Sequence, residues 1–142
     1  MDNLIFMSGG ITGLSVEEST TWRAELTEMV NALNMDWHTW DPTIFGLSEY
    51  NAMHYGDKFE SIAMKIDLDN LRRSNAVICN MNCTTSIGTS MELMLAKELN
   101  IPIIGFCDEN NRKNIHPWWQ EVSVTIENTM EEGLLFLVTH YA

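Results

Sequence analysis

Two acidic residues lie where chemistry would need them. Glu92 sits in Thr84-Thr85-Ser86-Ile87-Gly88-Thr89-Ser90-Met91-Glu92-Leu93, a segment that gathers hydroxyls, a glycine and one carboxylate where a strand gives way to a helix. A carboxylate in a first helical turn is kept ionised by the helix dipole, and a glycosyl-accepting nucleophile must be ionised. The spacing has a second meaning. Thr89-x-x-Glu92 is a capping box, the same device as Ser15-x-x-Glu18 and Thr129-x-x-Glu132. On spacing alone, the cap is the stronger reading of Glu92.

Asp67 is the second. At about 100° per residue, Phe59, Ala63, Met64, Ile66, Leu68 and Leu71 flank it on both sides, whereas Asp69 falls on the opposite, polar face. A carboxylate inside an apolar arc is costly unless paired or used, and burial raises its pKa towards that of a proton donor. The alternative is a helix angled so that Asp67 reaches solvent or a basic partner.

A third feature is the loop Ser8-Gly9-Gly10-Ile11-Thr12-Gly13. Glycines between a strand and a helix let the backbone approach a ligand with its amides turned inward, or simply supply positive φ for a tight turn. The loop is neither a Walker A sequence nor the dinucleotide fingerprint, so no ATP or NAD cofactor is expected. Cys79 and Cys83 have no matching histidine pair, so no metal site is expected either.

These residues must be held by alternating strands and helices. Apolar runs at Leu4–Met7, Trp37–Trp40, Ala76–Cys79, Ile101–Phe106 and Val122–Ile126 read as five strands. Helices are expected after Ser15, from about Asp57 to Arg73, from about Ser90 to Leu99, and from Asn128 or Thr129 to Tyr141, with 43–56 as a surface loop. The first helix presents Trp22, Leu26, Met29, Val30 and Leu33 as its apolar face. This alternation predicts an α/β fold, a doubly wound, mostly parallel five-stranded sheet of flavodoxin-like or Rossmann-like type, as one domain over residues 1–142. Ligands of such sheets sit beyond the carboxyl ends of the strands, which selects loops 8–13, 41–56 and 80–90. Asp41, at the head of the second loop, is therefore a binding candidate.

The chain carries a formal charge of −12 with only eight basic residues, which argues against a DNA or RNA partner. No signal peptide and no membrane span is legible, and three cysteines suit reduced thiols, so a cytoplasmic protein is expected.

Taken together, Ile5-Phe6-Met7-Ser8-Gly9-Gly10-Ile11-Thr12-Gly13, Asp67-Leu68 through Ile78, and Ser86-Ile87-Gly88 through Glu92-Leu93 resemble the nucleoside 2-deoxyribosyltransferase family, including its deoxynucleoside 5′-monophosphate N-glycosidase branch. The resemblance implies cleavage or transfer at an N-glycosidic bond, with Glu92 as nucleophile and Asp67 assisting the leaving base. It implies a nucleoside or nucleotide ligand held near Phe6, Ser8, Gly9, Gly10, Thr12, Asp41, Ser86, Gly88 and Ser90. Ser86 matches the monophosphate branch, whereas Phe6 and Thr12 stand where that branch carries tyrosine and arginine. The family builds its sites from two subunits, so a homodimer or higher homo-oligomer is expected. A nucleotide-binding or sensing domain without turnover is the alternative.

Overall fold

The computed structural model describes residues 2–83 and 85–141; Thr84, from the hydroxyl-rich segment, lies outside the described residues. Five strands form the sheet: β1 Asn3–Ser8, β2 Trp37–Trp40, β3 Ala76–Asn80, β4 Ile103–Phe106 and β5 Thr125–Glu127. All pairings are parallel, in the order β2-β1-β3-β4-β5. That is the flavodoxin-like order, and its switch point falls between β1 and β3, where crossovers leave in opposite directions and open a crevice.

The helices are α1 Val16–Ala32, α2 Pro42–Gly46, α3 Glu49–Tyr55, α4 Phe59–Arg72, α5 Ile87–Glu98, α6 Pro117–Val122 and α7 Met130–Tyr141. Alternate strand residues feed two cores, as the period-two pleat requires. Ile5, Met7, Ile78 and Ile104 pack against Leu26 and Val30 of α1 and Leu134 and Leu137 of α7. Phe6, Val77, Cys79 and Ile103 face the other way, against Leu71 of α4, Leu93 and Ala96 of α5 and Trp119 of α6. Among the described residues no helix is long and apolar enough to cross a membrane.

Several sequence expectations need correction. Segment 43–56 is not a bare loop. Asp41 caps α2 by accepting from the Thr43 amide, and Ser48 caps α3 by accepting from the Asn51 amide. Both helices are short and pack on α4, so their apolar residues show no long period. The last strand is shorter than Val122–Ile126, because Val122 ends α6. The helix expected from Ser90 starts three residues earlier, at Ile87.

Candidate active site

That earlier start changes the reading of Glu92. Ser86 is the N-cap of α5, and its Oγ accepts from the Thr89 amide at 3.1 Å and the Thr89 hydroxyl at 2.8 Å. Thr89 is thus inside the helix and buried, and Glu92 stands in the second turn, where no cap is needed. The capping reading of Glu92 fails. The box at Ser15 and Glu18 is formed in both directions, at 3.0 and 2.9 Å.

Without a capping role, Glu92 is a half-buried carboxyl on the face of α5 beside the second core. Burial, then the negative charge of Asp67, pushes its pKa up to about 8, with Arg23 opposing. The first-turn position expected for Glu92 is corrected: it lies in the second turn of α5, where burial and not the helix dipole sets the direction of its shift. The dipole acts within the first turn, and Glu92 lies past it.

The helical wheel of α4 holds for its two aspartates, although Met64 of the expected apolar arc is exposed. Asp67 is half-buried, whereas Asp69 is exposed and pairs with Arg72 at 3.2 Å. Asp67 accepts a hydrogen bond from Trp40 Nε1 at 3.2 Å. Burial raises its pKa to about 6, the Trp40 bond and Arg23 work against that rise, and Asp41 adds to it. The charge of Asp67 raises the proton affinity of Glu92, so near neutral pH it is Glu92 that keeps its proton.

Arg23 was missed by the sequence reading. It is fully buried, donating through Nε to Met7 O at 3.2 Å, through Nη1 to Ser19 O, and through Nη2 to Gly9 O at 3.1 Å. Its guanidinium also lies 4.6 Å from the ring centre of Trp22. Among the described residues no carboxylate forms a salt bridge with it, yet its own proton affinity responds to the negative charges of Asp41, Glu92 and Asp67. Burial lowers its pKa, and those negative groups oppose the shift. A signal was available: Ser19, Arg23, Leu26 and Val30 share one helical stripe, so an arginine amid the core face needed partners.

The first loop is held from below by that arginine. Gly9 and Gly10 are glycines for space: a Cβ on Gly9 would lie 3.0 Å from Trp22, and one on Gly10 would lie 3.2 Å from Cys83 Sγ. Only Gly13 of this loop has positive φ, at 85°. Phe6 and Ser8 are completely buried, and the Ser8 Oγ has no hydrogen-bond partner among the described residues. Thr12, Gly88 and Ser90 are exposed. Ser90 Oγ donates to Ser86 O at 3.2 Å and accepts from Trp119 Nε1 at 2.9 Å, which ties α5 to α6. Trp40 and Asp41, with Thr39, Phe45 and Asn51, line a cavity of about 400 Å³ beside Asp67. A larger cleft of about 840 Å³ opens on the other side of the first loop.

The chain is thus an α/β protein of flavodoxin-like topology with half-buried carboxyls, Asp67 and Glu92, on the packed helices α4 and α5. No protein-family profile matches it, and no curated protein matches it in sequence. Solved structures do share its fold. A conserved protein from Enterococcus faecalis V583 superposes with a TM-score of 0.75 at 14% identity, covering 100% of both chains. A 2-deoxyribosyltransferase from Bacillus psychrosaccharolyticus gives 0.70 at 12% identity, over 98% of this chain and 92% of that one. A CMP N-glycosidase from Clostridium botulinum gives 0.58 at 16% identity, over 99% of this chain and 100% of that one. The fold expected from the sequence resemblance is the fold observed.

Proposed function

We propose that this protein cleaves or exchanges the N-glycosidic bond of a nucleoside or its 5′-monophosphate through Glu92 and Asp67. The observation that carries the reading is the placement of two half-buried carboxyls on the packed helices α4 and α5, with Asp67 bonded by Trp40 and Glu92 keeping one proton near neutral pH. The fold shared with a 2-deoxyribosyltransferase and a CMP N-glycosidase supports it.

The chemistry balances with that single proton. Ionised Glu92 attacks the anomeric carbon, the carbon–nitrogen bond breaks, and its electron pair leaves with the base. Asp67 supplies the proton the base needs, and the sugar remains as an ester of Glu92. Water then releases the sugar, or a second base takes it. In the free protein Glu92 has the higher proton affinity, so the proton must pass to Asp67 or the base as substrate binds. The base would lie towards Trp40 and Phe45, in the cavity beside Asp67.

A 5′-phosphate would meet the start of α5. Ser86 caps the Thr89 amide, which leaves the amides of Ile87 and Gly88 at the positive end of the helix for an anion. Exposed Ile87, Met91 and Met94 recur along one face of α5, near exposed Trp118 of α6, and a second copy of the chain packed there would give the homo-oligomer. Light scattering that finds a monomer at working concentration removes that part of the reading.

Buried Phe6 offers a sugar no hydroxyl, and this favours a second reading, a nucleotide-binding domain without turnover. One experiment separates the two: incubation with matched nucleosides and monophosphates, with and without an acceptor base, following free base. Turnover with kcat/KM higher for monophosphates is expected, and Ser86→Asp should reverse that preference by charge repulsion. Binding without base release supports the sensing domain and removes the enzyme.

A further inference from the structure

The cleft of about 840 Å³ opens on the α1 side of the loop after β1, and neither Asp67 nor Glu92 lines it. Asp67 and Glu92 come from α4 and α5, which cover one face; the cleft is walled by Trp22 of α1, on the other face, and by the segments after β3 and β4. Four of its lining residues are asparagines: Asn80, Asn82, Asn111 and Asn114. No lysine or arginine is among them. The one acidic residue, Glu18, already accepts from the Ser15 amide in the capping box.

Three of the asparagines form a relay. Asn111 Nδ2 donates to Asn82 Oδ1 at 2.9 Å, and Asn82 Nδ2 donates to Asn80 Oδ1 at 2.9 Å. Asn82 Oδ1 also accepts from the Asp108 amide at 2.9 Å, and Asn80 Oδ1 from the Asn82 amide at 3.0 Å, so the side chains are fixed before any ligand arrives. Aligned amides polarise one another, and fixed ones lose little entropy on binding. Asn80 Nδ2 and Asn111 Oδ1, at the two ends, have no partner among the described residues, nor does the carboxamide of Asn114.

We infer that this cleft is a second ligand site, for an uncharged heterocycle with a lactam edge such as a free nucleobase. A carboxamide sets one donor and one acceptor side by side in a plane, which matches the N–H and C=O of a lactam as asparagine matches adenine in nucleic-acid recognition. Half-buried Trp22 and Leu14 supply an apolar wall for the flat ring. The lining holds no cation and one carboxylate, Glu18, so within a chain of charge −12 it gives a phosphate nothing to pair with. This site does not depend on any role for Glu92.

The test uses calorimetry with uracil, hypoxanthine, glucose and inorganic phosphate on the parent, Glu92→Gln, Asn114→Leu and Asn111→Leu. Cys83 gives a second readout, since it lines the cleft while Cys79 and Cys107 are buried. At least one base should bind the parent and Glu92→Gln equally, and should slow alkylation of Cys83 by iodoacetamide. Its affinity should fall by about tenfold in Asn114→Leu, where a bidentate pair is lost. Asn114 is exposed, so that variant folds even if Asn111→Leu does not. The inference is overturned if neither base binds, if binding vanishes in Glu92→Gln, if the asparagine variants that fold bind as the parent does, or if glucose or phosphate binds as tightly. Loss of turnover in Glu92→Gln with base binding intact separates this site from the carboxyl pair.

Discussion

Helices α1 and α5 carry the same signature, a hydroxyl residue followed three positions later by glutamate, and the two glutamates have opposite fates. Glu18 is exposed and accepts from the Ser15 amide, which holds its pKa below the usual carboxylate value. Glu92 is half-buried beside Asp67, and burial raises its pKa to about 8. The difference arises because α5 is capped at Ser86 and starts at Ile87, about one turn before the pattern suggests. A capping signature has meaning only at a helix start, and a competing cap upstream turns it into a pair of ordinary helical positions.

The largest effect that would sharpen this contrast is on turnover. Glu92→Gln keeps shape and removes the anion, so base release should fall by roughly a thousandfold or more, as expected when a covalent nucleophile is lost. Glu18→Gln should leave turnover unchanged. Equal activity in parent and Glu92→Gln would reduce both glutamates to structural residues.

Next in size is the pH profile of kcat/KM. Below about 6 both carboxyls are protonated and the nucleophile is lost; above about 8 both are ionised and the acid is lost. A bell between those limits is expected, each limb falling about tenfold per pH unit. A flat profile from pH 5 to 9 would break the link between the pair and the reaction.

Stability should distinguish the glutamates by sign. The folded protein holds a proton on Glu92 that the unfolded chain releases above about 4.5, so this residue's contribution is lost as pH rises from there to about 8. Glu92→Gln removes that loss, and its unfolding free energy above pH 8 should exceed the parent's by more than about 1 kcal/mol. Glu18 has a lowered pKa, so its contribution is present above the ordinary carboxylate value and disappears on acidification. Glu18→Gln should lower the melting temperature at neutral pH, with the gap closing in acid. Urea titrations at pH 5 and 9 check both signs.

The smallest effect tests the caps themselves. Ser15→Ala and Ser86→Ala should each cost about 1 kcal/mol, since each removes a bonded N-cap. Were the α5 helix really capped at Thr89, Ser86→Ala would cost nothing.

The sequence by itself determined the layered fold and the half-buried placement of Asp67, because strand alternation and helical wheels are local periodicities that burial enforces. It also located the glycine loop, although only space, not backbone conformation, demands Gly9 and Gly10. The short helices of 42–55 escaped it because neither spans enough turns to show a period. Tertiary structure alone decided the start of α5, the Trp40–Asp67 bond, the burial of Arg23 and the asparagine relay. The Trp40–Asp67, Arg23–Gly9 and Asn111–Asn82 bonds join groups far apart in the chain and exist only once the sheet has assembled, whereas the Ser86 cap is local and was hidden by the competing Thr89 signature. The proton affinity of Glu92 is of that kind: its residue type was legible from the start, but its charge state belongs to the neighbours that folding gave it.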